Sequence, residues 1–145
     1  MSAKSSRKII LQKTLTKVKK QQRTKIICVS HKEDADGISS AALIKQAFGG
    51  DSVLVDYPGM VDALELLRND KKLKKLFICD LGLNKQINDN FVELLTELRK
   101  KRVSVTYIDH HDIDSKVITK LKKIKVKLIH DISECTSVLV YDTFK

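Results

Sequence analysis

Apolar and polar positions along the chain alternate between a helical and a strand period. Ile10, Leu11, Leu15 and Val18 recur at helical spacing, so a basic amphipathic helix is predicted over residues 6–22, with Ser5 or Ser6 as its N-cap. KIICVS (25–30) is a short apolar β-branched run and reads as a buried strand. A helix over 38–48 closing at Gly49-Gly50, a strand over 52–56, a Tyr57-Pro58-Gly59 turn and a helix over 61–69 follow. The same alternation predicts strands over 76–80, 103–109 and 126–130, and helices over 85–101, 115–123 and 136–144. Strands alternating with helices of this length make βαβ units, so the expected fold class is α/β. The architecture is a mainly parallel five-stranded sheet with helices on both faces, preceded by the basic N-terminal helix. No internal repeat and no linker rich in Pro, Gly or Ser divides 25–145.

With 145 residues, 42% apolar and 32% charged, one Pro and no Trp, the chain is a single folded domain rather than a disordered or fibrous one. No run approaches the roughly 18 apolar residues that span a bilayer, and 9–11 is too short for a signal-peptide core, so the expected setting is cytoplasmic without a membrane. Cys28, Cys79 and Cys135 are too scattered for a disulfide framework or a zinc site and read as small buried hydrophobes. The net charge of +10 comes entirely from residues 1–32, which hold ten bases and no acid. That segment, with Lys17, Lys20 and Arg23, is a solvated face packed on the domain, a phosphate-backbone contact or a membrane-surface element. The absence of aromatics before Phe48 disfavours interfacial anchoring. A smaller cluster at Lys71, Lys72, Lys74 and Lys75 reads as a helix-end cap.

Polar residues collect where the predicted strands end: Ser30-His31 with Asp34 and Asp36, then Asp80, then Asp109-His110-His111. Carboxyl ends of parallel strands line one edge, where ligands bind, so these groups converge on one cleft. Singly, each has a plain structural role: Asp34 or Asp36 as an N-cap, Asp80 with Gly82 as a turn, Asp109 as a support for His110. Together, packed carboxylates repel one another, and divalent cations resolve that repulsion. A mixed Asp and His set suits Mn²⁺, Mg²⁺, Zn²⁺ or Fe²⁺, the imidazoles tilting the choice from Mg²⁺ toward Mn²⁺ or another transition metal, and the number of ligands suits two ions about 3.5–4 Å apart.

These residues resemble the DHH phosphoesterase superfamily. VTYIDHHD carries the naming triplet, HKEDADGISSAA is similar to the first motif, FICDLGLN to the second, and SECTSVLVYD to a small-hydroxyl segment opening a helix. The order is kept over about 25–145, and the wording is closest to archaeal RecJ-like single-strand exonucleases. The resemblance implies a Rossmann-like DHH domain in which His31, Asp34, Asp36, Asp80 and His110 hold two Mn²⁺ or Mg²⁺ ions, with Asp80 bridging. His111 would face the scissile phosphate and Asp109 would position the histidine pair. Water activated by the metals would be the nucleophile, and Ser39 and Ser40, with free N–H groups at a helix start, would help hold phosphate.

The chain departs from the pattern twice. The spacing from His31 to Asp34 is one residue shorter than in many relatives, and only 34 residues follow His111 where the family places a fourth Asp motif and a substrate-gripping domain. Asp131 and Asp142 are weak substitutes. The expected function is a phosphodiesterase on single-stranded DNA or RNA, completed by a second chain or by further sequence. Two alternatives are a non-catalytic replication-assembly module binding a GINS-like factor, and a phosphodiesterase for small oligonucleotides or cyclic dinucleotides.

Overall fold

The structure, a computed structural model, describes residues 3–22 and 24–145, and the side chains of 14–22 lie outside the described set. The elements run α1 (Ala3–Gln22), β1 (Lys25–His31), α2 (Ala35–Phe48), β2 (Asp51–Val55), α3 (Tyr57–Arg68) and β3 (Leu73–Cys79). They continue with α4 (Asn88–Lys100), β4 (Ser104–Asp109), α5 (Ser115–Lys123), β5 (Lys127–His130) and α6 (Thr136–Phe144). All five strands are parallel, in the order β2-β1-β3-β4-β5. The α/β fold expected from the sequence is therefore the observed one.

Period-two alternation on the strands feeds two cores. Ile27, Val29, Leu76, Ile78, Val105 and Tyr107 face one side, where α3, α4 and α5 contribute Met60, Leu64, Phe91, Leu95 and Leu121. Cys28, Phe77, Cys79 and Ile108 face the other, against Ala41 and Ile44 of α2 and Val140 of α6. Because the chain leaves β1 outward to β2 and then returns past β1 to β3, consecutive crossovers lie on opposite faces. This opens a crevice at the carboxyl ends of β1 and β3.

Local chemistry shifts several predicted boundaries. The Asp34 side chain accepts from the Gly37 N–H, which starts α2 at Ala35, three residues early. Tyr57-Pro58-Gly59 is the first turn of α3 rather than a separate turn: Asp56 caps it, and Pro58 sits where no intrahelical N–H is needed. Asn84 accepts from Gln86 and Ile87 N–H groups, which holds that stretch as a turn and delays α4 to Asn88. Lys74 and Lys75 belong to β3, so the 71–75 cluster caps no helix. Ser5 and Ser6 lie inside α1 instead of capping it, and Ile9, Ile10 and Leu11, on successive positions around the helix, are all exposed.

Cys28 and Cys79 are buried neighbours with sulfurs 3.9 Å apart. The adjacent Cys28 thiol and burial together push the Cys79 thiol far up, so both act as the expected small hydrophobes. Cys135 is exposed, contrary to that expectation, because it precedes α6 on a surface loop.

Gly37 is where α2 meets the end of β1. A Cβ there would lie 2.2 Å from the His31 carbonyl oxygen and 2.7 Å from its Cβ. Backbone cannot yield that distance, so Gly37→Ala is expected to destabilise the fold by about 1–3 kcal/mol. Urea denaturation checks this, and a midpoint equal to wild type would show that α2 is not seated as described.

Candidate metal centre

The strand ends bring the predicted residues together. β1 ends at His31, buried beneath the ring of Tyr57 with centroids 4.5 Å apart. Its Nδ1 lies 3.2 Å from Asp34 Oδ2 and 3.9 Å from Asp80 Oδ2. With Nδ1–H directed to the carboxylate, Nε2 is left with its lone pair, buried and without a hydrogen-bond partner, 4.0 Å from Glu33 Oε2. Asp80 follows β3 in a left-handed conformation with φ 56°, a geometry that Asp tolerates better than most residues. Its N–H donates to the Ile108 carbonyl, which ties the turn to β4.

Asp80 is fully buried, and its two oxygens face different neighbours. Oδ1 accepts from the Thr136 hydroxyl at 3.2 Å and lies 3.2 Å from His110 Nε2, while Oδ2 has no hydrogen-bond partner. Two groups of potential ligands result, His31-Asp34-Asp80 on one side and Asp80-His110-His111 on the other, with Asp80 common to both. Burial, then the charges of Asp36 and Asp34, push the Asp80 carboxyl up to about 8. For Asp34, burial works upward, but the Gly37 N–H and neighbouring side-chain hydrogen bonds prevail and hold it low. The orphaned His31 Nε2 and Asp80 Oδ2, in a set of imidazoles and carboxylates, fit one or two divalent cations.

Asp36 stands one step back. Its oxygens accept from the backbone N–H groups of Thr136 at 3.0 Å and Ser137 at 2.7 Å, so it caps α6 from α2. These bonds outweigh burial and keep it low, and Oδ2 remains 3.7 Å from His110 Nε2. The spare lone pairs of a capping carboxylate still point a negative charge at the centre.

His111 is held from three directions. Nδ1–H donates to Asp109 Oδ1 at 2.7 Å, Nε2 accepts from the Tyr57 hydroxyl at 3.2 Å, and its carbonyl accepts from His130 Nε2 at 2.6 Å. Asp109 is fully buried and also accepts from the Tyr107 hydroxyl and the His111 N–H. Gly82 allows this packing, since a Cβ there would sit 3.1 Å from the His111 ring.

Other expected residues fall elsewhere. Ser39 is exposed, and the Ser40 hydroxyl donates to the Asp36 carbonyl within its own helix. With α2 starting at Ala35, their N–H groups fall inside the helical ladder, which removes the reason for placing them at a phosphate. The side chains of Lys17 and Lys20, and Arg23 as a whole, lie outside the described residues. Asp131 binds Ser133 in an exposed turn and Asp142 pairs with Lys145, so neither joins the ligand groups. Tyr57, Tyr107, His130 and Thr136 complete the site without having been singled out. Only the small-hydroxyl segment containing Thr136 gave a signal, and the other three arrive through long-range packing.

Among the described residues no helix is long and apolar enough to cross a membrane. No curated protein matches the chain. Among solved structures, one titled "Crystal structure of an uncharacterized protein from Helicobacter pylori G27" is similar in fold, with TM-score 0.63 and 19% identity. The match covers 83% of this chain and 36% of that one, so the chain spans little more than a third of its solved counterpart. The family described as "DHH family, N-terminal domain" matches residues 25–145. With its motifs in order at the strand ends of a parallel sheet, the chain belongs to the DHH family.

Proposed function

We propose that this chain is the catalytic core of a divalent-metal-dependent phosphodiesterase acting on single-stranded nucleic acid. DHH domains are generally metal-dependent phosphoesterases. The observation that carries the reading is Asp80, buried, shared by two ligand groups and left with an oxygen that has no hydrogen-bond partner, 3.9 Å from His31 Nδ1. His31 and Asp34 would hold one ion and His110 a second, with Asp80 between them and Asp36 adding charge. Bound cations supply Lewis acidity toward a phosphoryl oxygen and lower the pKa of a water.

The chain itself supplies position and proton handling. Asp109 fixes His111 as the Nδ1–H tautomer, leaving Nε2 to take or give a proton at an ester oxygen. Tyr57 covers His31 and reaches His111, so it orders both histidines. The reading includes a contribution from outside this domain, a further acidic ligand and a substrate-gripping unit in the same or a partner chain. Mn²⁺ and Mg²⁺ are the candidate ions, and the ten bases of residues 1–32 favour a polyanionic substrate.

Calorimetric titration with Mn²⁺, run beside degradation of a labelled single strand, tests this. Two bound ions per chain and accumulation of mononucleotides are expected. Absence of cleavage with either metal, alone or with a completing chain, would overturn it, and cleavage confined to short oligonucleotides would transfer the site to small substrates.

A further inference from the structure

The globular part carries as many acids as bases, 18 each after residue 32, yet the fold separates them. Ten carboxylates lie at the strand ends and in the loops that form the metal-centre edge, in 32–36, 56, 80, 109–114 and 131–134, against three bases there, Lys32, Lys85 and Lys116. The opposite edge, where chain enters β3, β4 and β5, is made by KKLKK (71–75), RKKR (99–102) and LKKIKVK (121–127). These three segments hold twelve bases and no acid. Since β3, β4 and β5 are neighbours about 4.8 Å apart, the segments form one basic stripe across the edge.

Two features mark the stripe as more than a solvated surface. α4 and α5 end in the same way: the N–H of Arg102 donates to Arg99 and that of Val103 to Leu98, and Lys125 and Val126 repeat the pattern on Lys122 and Leu121. The position in left-handed conformation, which favours glycine, is Arg102 (φ 64°) in one turn and Lys125 (φ 62°) in the other. In both turns a base thus stands at a position where glycine would carry no strain. Between these ends opens a cleft of ≈ 330 Å³ lined by Thr96, Arg99, Lys100, Lys123, Ile124 and Lys125. Its floor is fastened by the Arg99 guanidinium, which donates to the Ile124 and Val103 carbonyls.

We propose that this edge is a docking face for a nucleic-acid phosphate backbone, remote from the metal centre. A linear row of exposed cations matches a linear polyanion. A lipid surface would ask for apolar groups to insert, whereas Val103, Leu121 and Val126 are buried and the nearby rings of Phe48 and Phe144 carry the ammonium groups of Lys75 and Lys127 at 4.6 and 5.4 Å. Binding here does not depend on cleavage. It would anchor a long strand on one edge while its end reaches the other, and it keeps the polyanion away from the carboxylates until a cation is present.

The test is fluorescence anisotropy of a labelled single-stranded oligonucleotide on the full chain, in EDTA and over a salt series, so that failure of the phosphodiesterase reading leaves it unaffected. The triple variant Arg102→Gly, Lys123→Gln, Lys125→Gly is expected to bind about tenfold more weakly at low salt, with a log–log salt slope smaller by about 2. Its melting temperature should be no lower than wild type, because glycine relieves both turns. The control Lys32→Gln, Lys85→Gln, Lys116→Gln removes the same charge from the metal-centre edge and should change affinity by less than about threefold. Equal losses in the two variants would reduce the effect to net charge and overturn the proposal. So would unchanged oligonucleotide binding, or sedimentation with phosphatidylserine vesicles that is lost in the first variant while oligonucleotide binding is retained.

Discussion

Replacing Asp80 by Asn should abolish metal binding at both sites while making the metal-free protein more stable. Asp80 belongs to both ligand groups, so its loss removes a ligand from each, and phosphodiesterase activity should fall by about 10³-fold or more, several kcal/mol of transition-state stabilisation. The stability effect has the opposite sign because the carboxylate is fully buried beside Asp34 and Asp36, which raises its pKa to about 8 from an ordinary 3.8. In the metal-free protein the folded state holds a proton that the unfolded chain has already released between those values. The stability linked to that proton is complete below about pH 4 and is lost as pH rises through about 8, with an upper limit of roughly 6 kcal/mol. Asn keeps the shape without the charge, so the variant should lose this decline and exceed metal-free wild type in melting temperature at pH 9. In wild type, Mn²⁺ should bind more tightly as pH rises because it competes with the same proton. Thermal melts with EDTA and with Mn²⁺ at pH 6 and 9 read all of this; a variant that is less stable in EDTA at pH 9 would mean that Asp80 is not held against repulsion.

Asp109→Asn should separate positioning from metal binding. Asp109 is absent from both ligand groups, but its carboxylate takes the Nδ1–H of His111 at 2.7 Å and is steadied by Tyr107. An amide can present N–H to Nδ1 and so favour the other tautomer, which puts the proton on Nε2 and misaligns it with Tyr57. The expected outcome is a drop in kcat of about 10²–10⁴-fold, with little change in KM and an unchanged Mn²⁺ stoichiometry. Equal loss of metal binding would show that Asp109 supports the ligands rather than the proton-carrying histidine.

The sheet and its strand ends were legible in the sequence because apolar runs of five to seven residues have few other ways to bury themselves, and the DHH triplet follows such a run directly. His31, Asp34, Asp80 and His110 could be named since each sits within a few residues of a strand terminus, where a parallel sheet leaves little choice of position. Boundaries failed where one side chain decides them: Asp34 pulls α2 back to Ala35, and Asp56 turns an apparent Tyr-Pro-Gly turn into the start of α3.

What only the tertiary structure decided is who meets whom across the chain. Asp36 caps α6 a hundred residues away, Thr136 steadies Asp80, and Tyr57 roofs both His31 and His111, partnerships with no local signature because they arise from the order in which strands pack. Charge behaves likewise. The sequence shows a neutral domain behind a basic N-terminal segment, but composition carries no direction, and it is the parallel arrangement, with every strand starting on one edge and ending on the other, that separates twelve bases from the carboxylates of the metal centre.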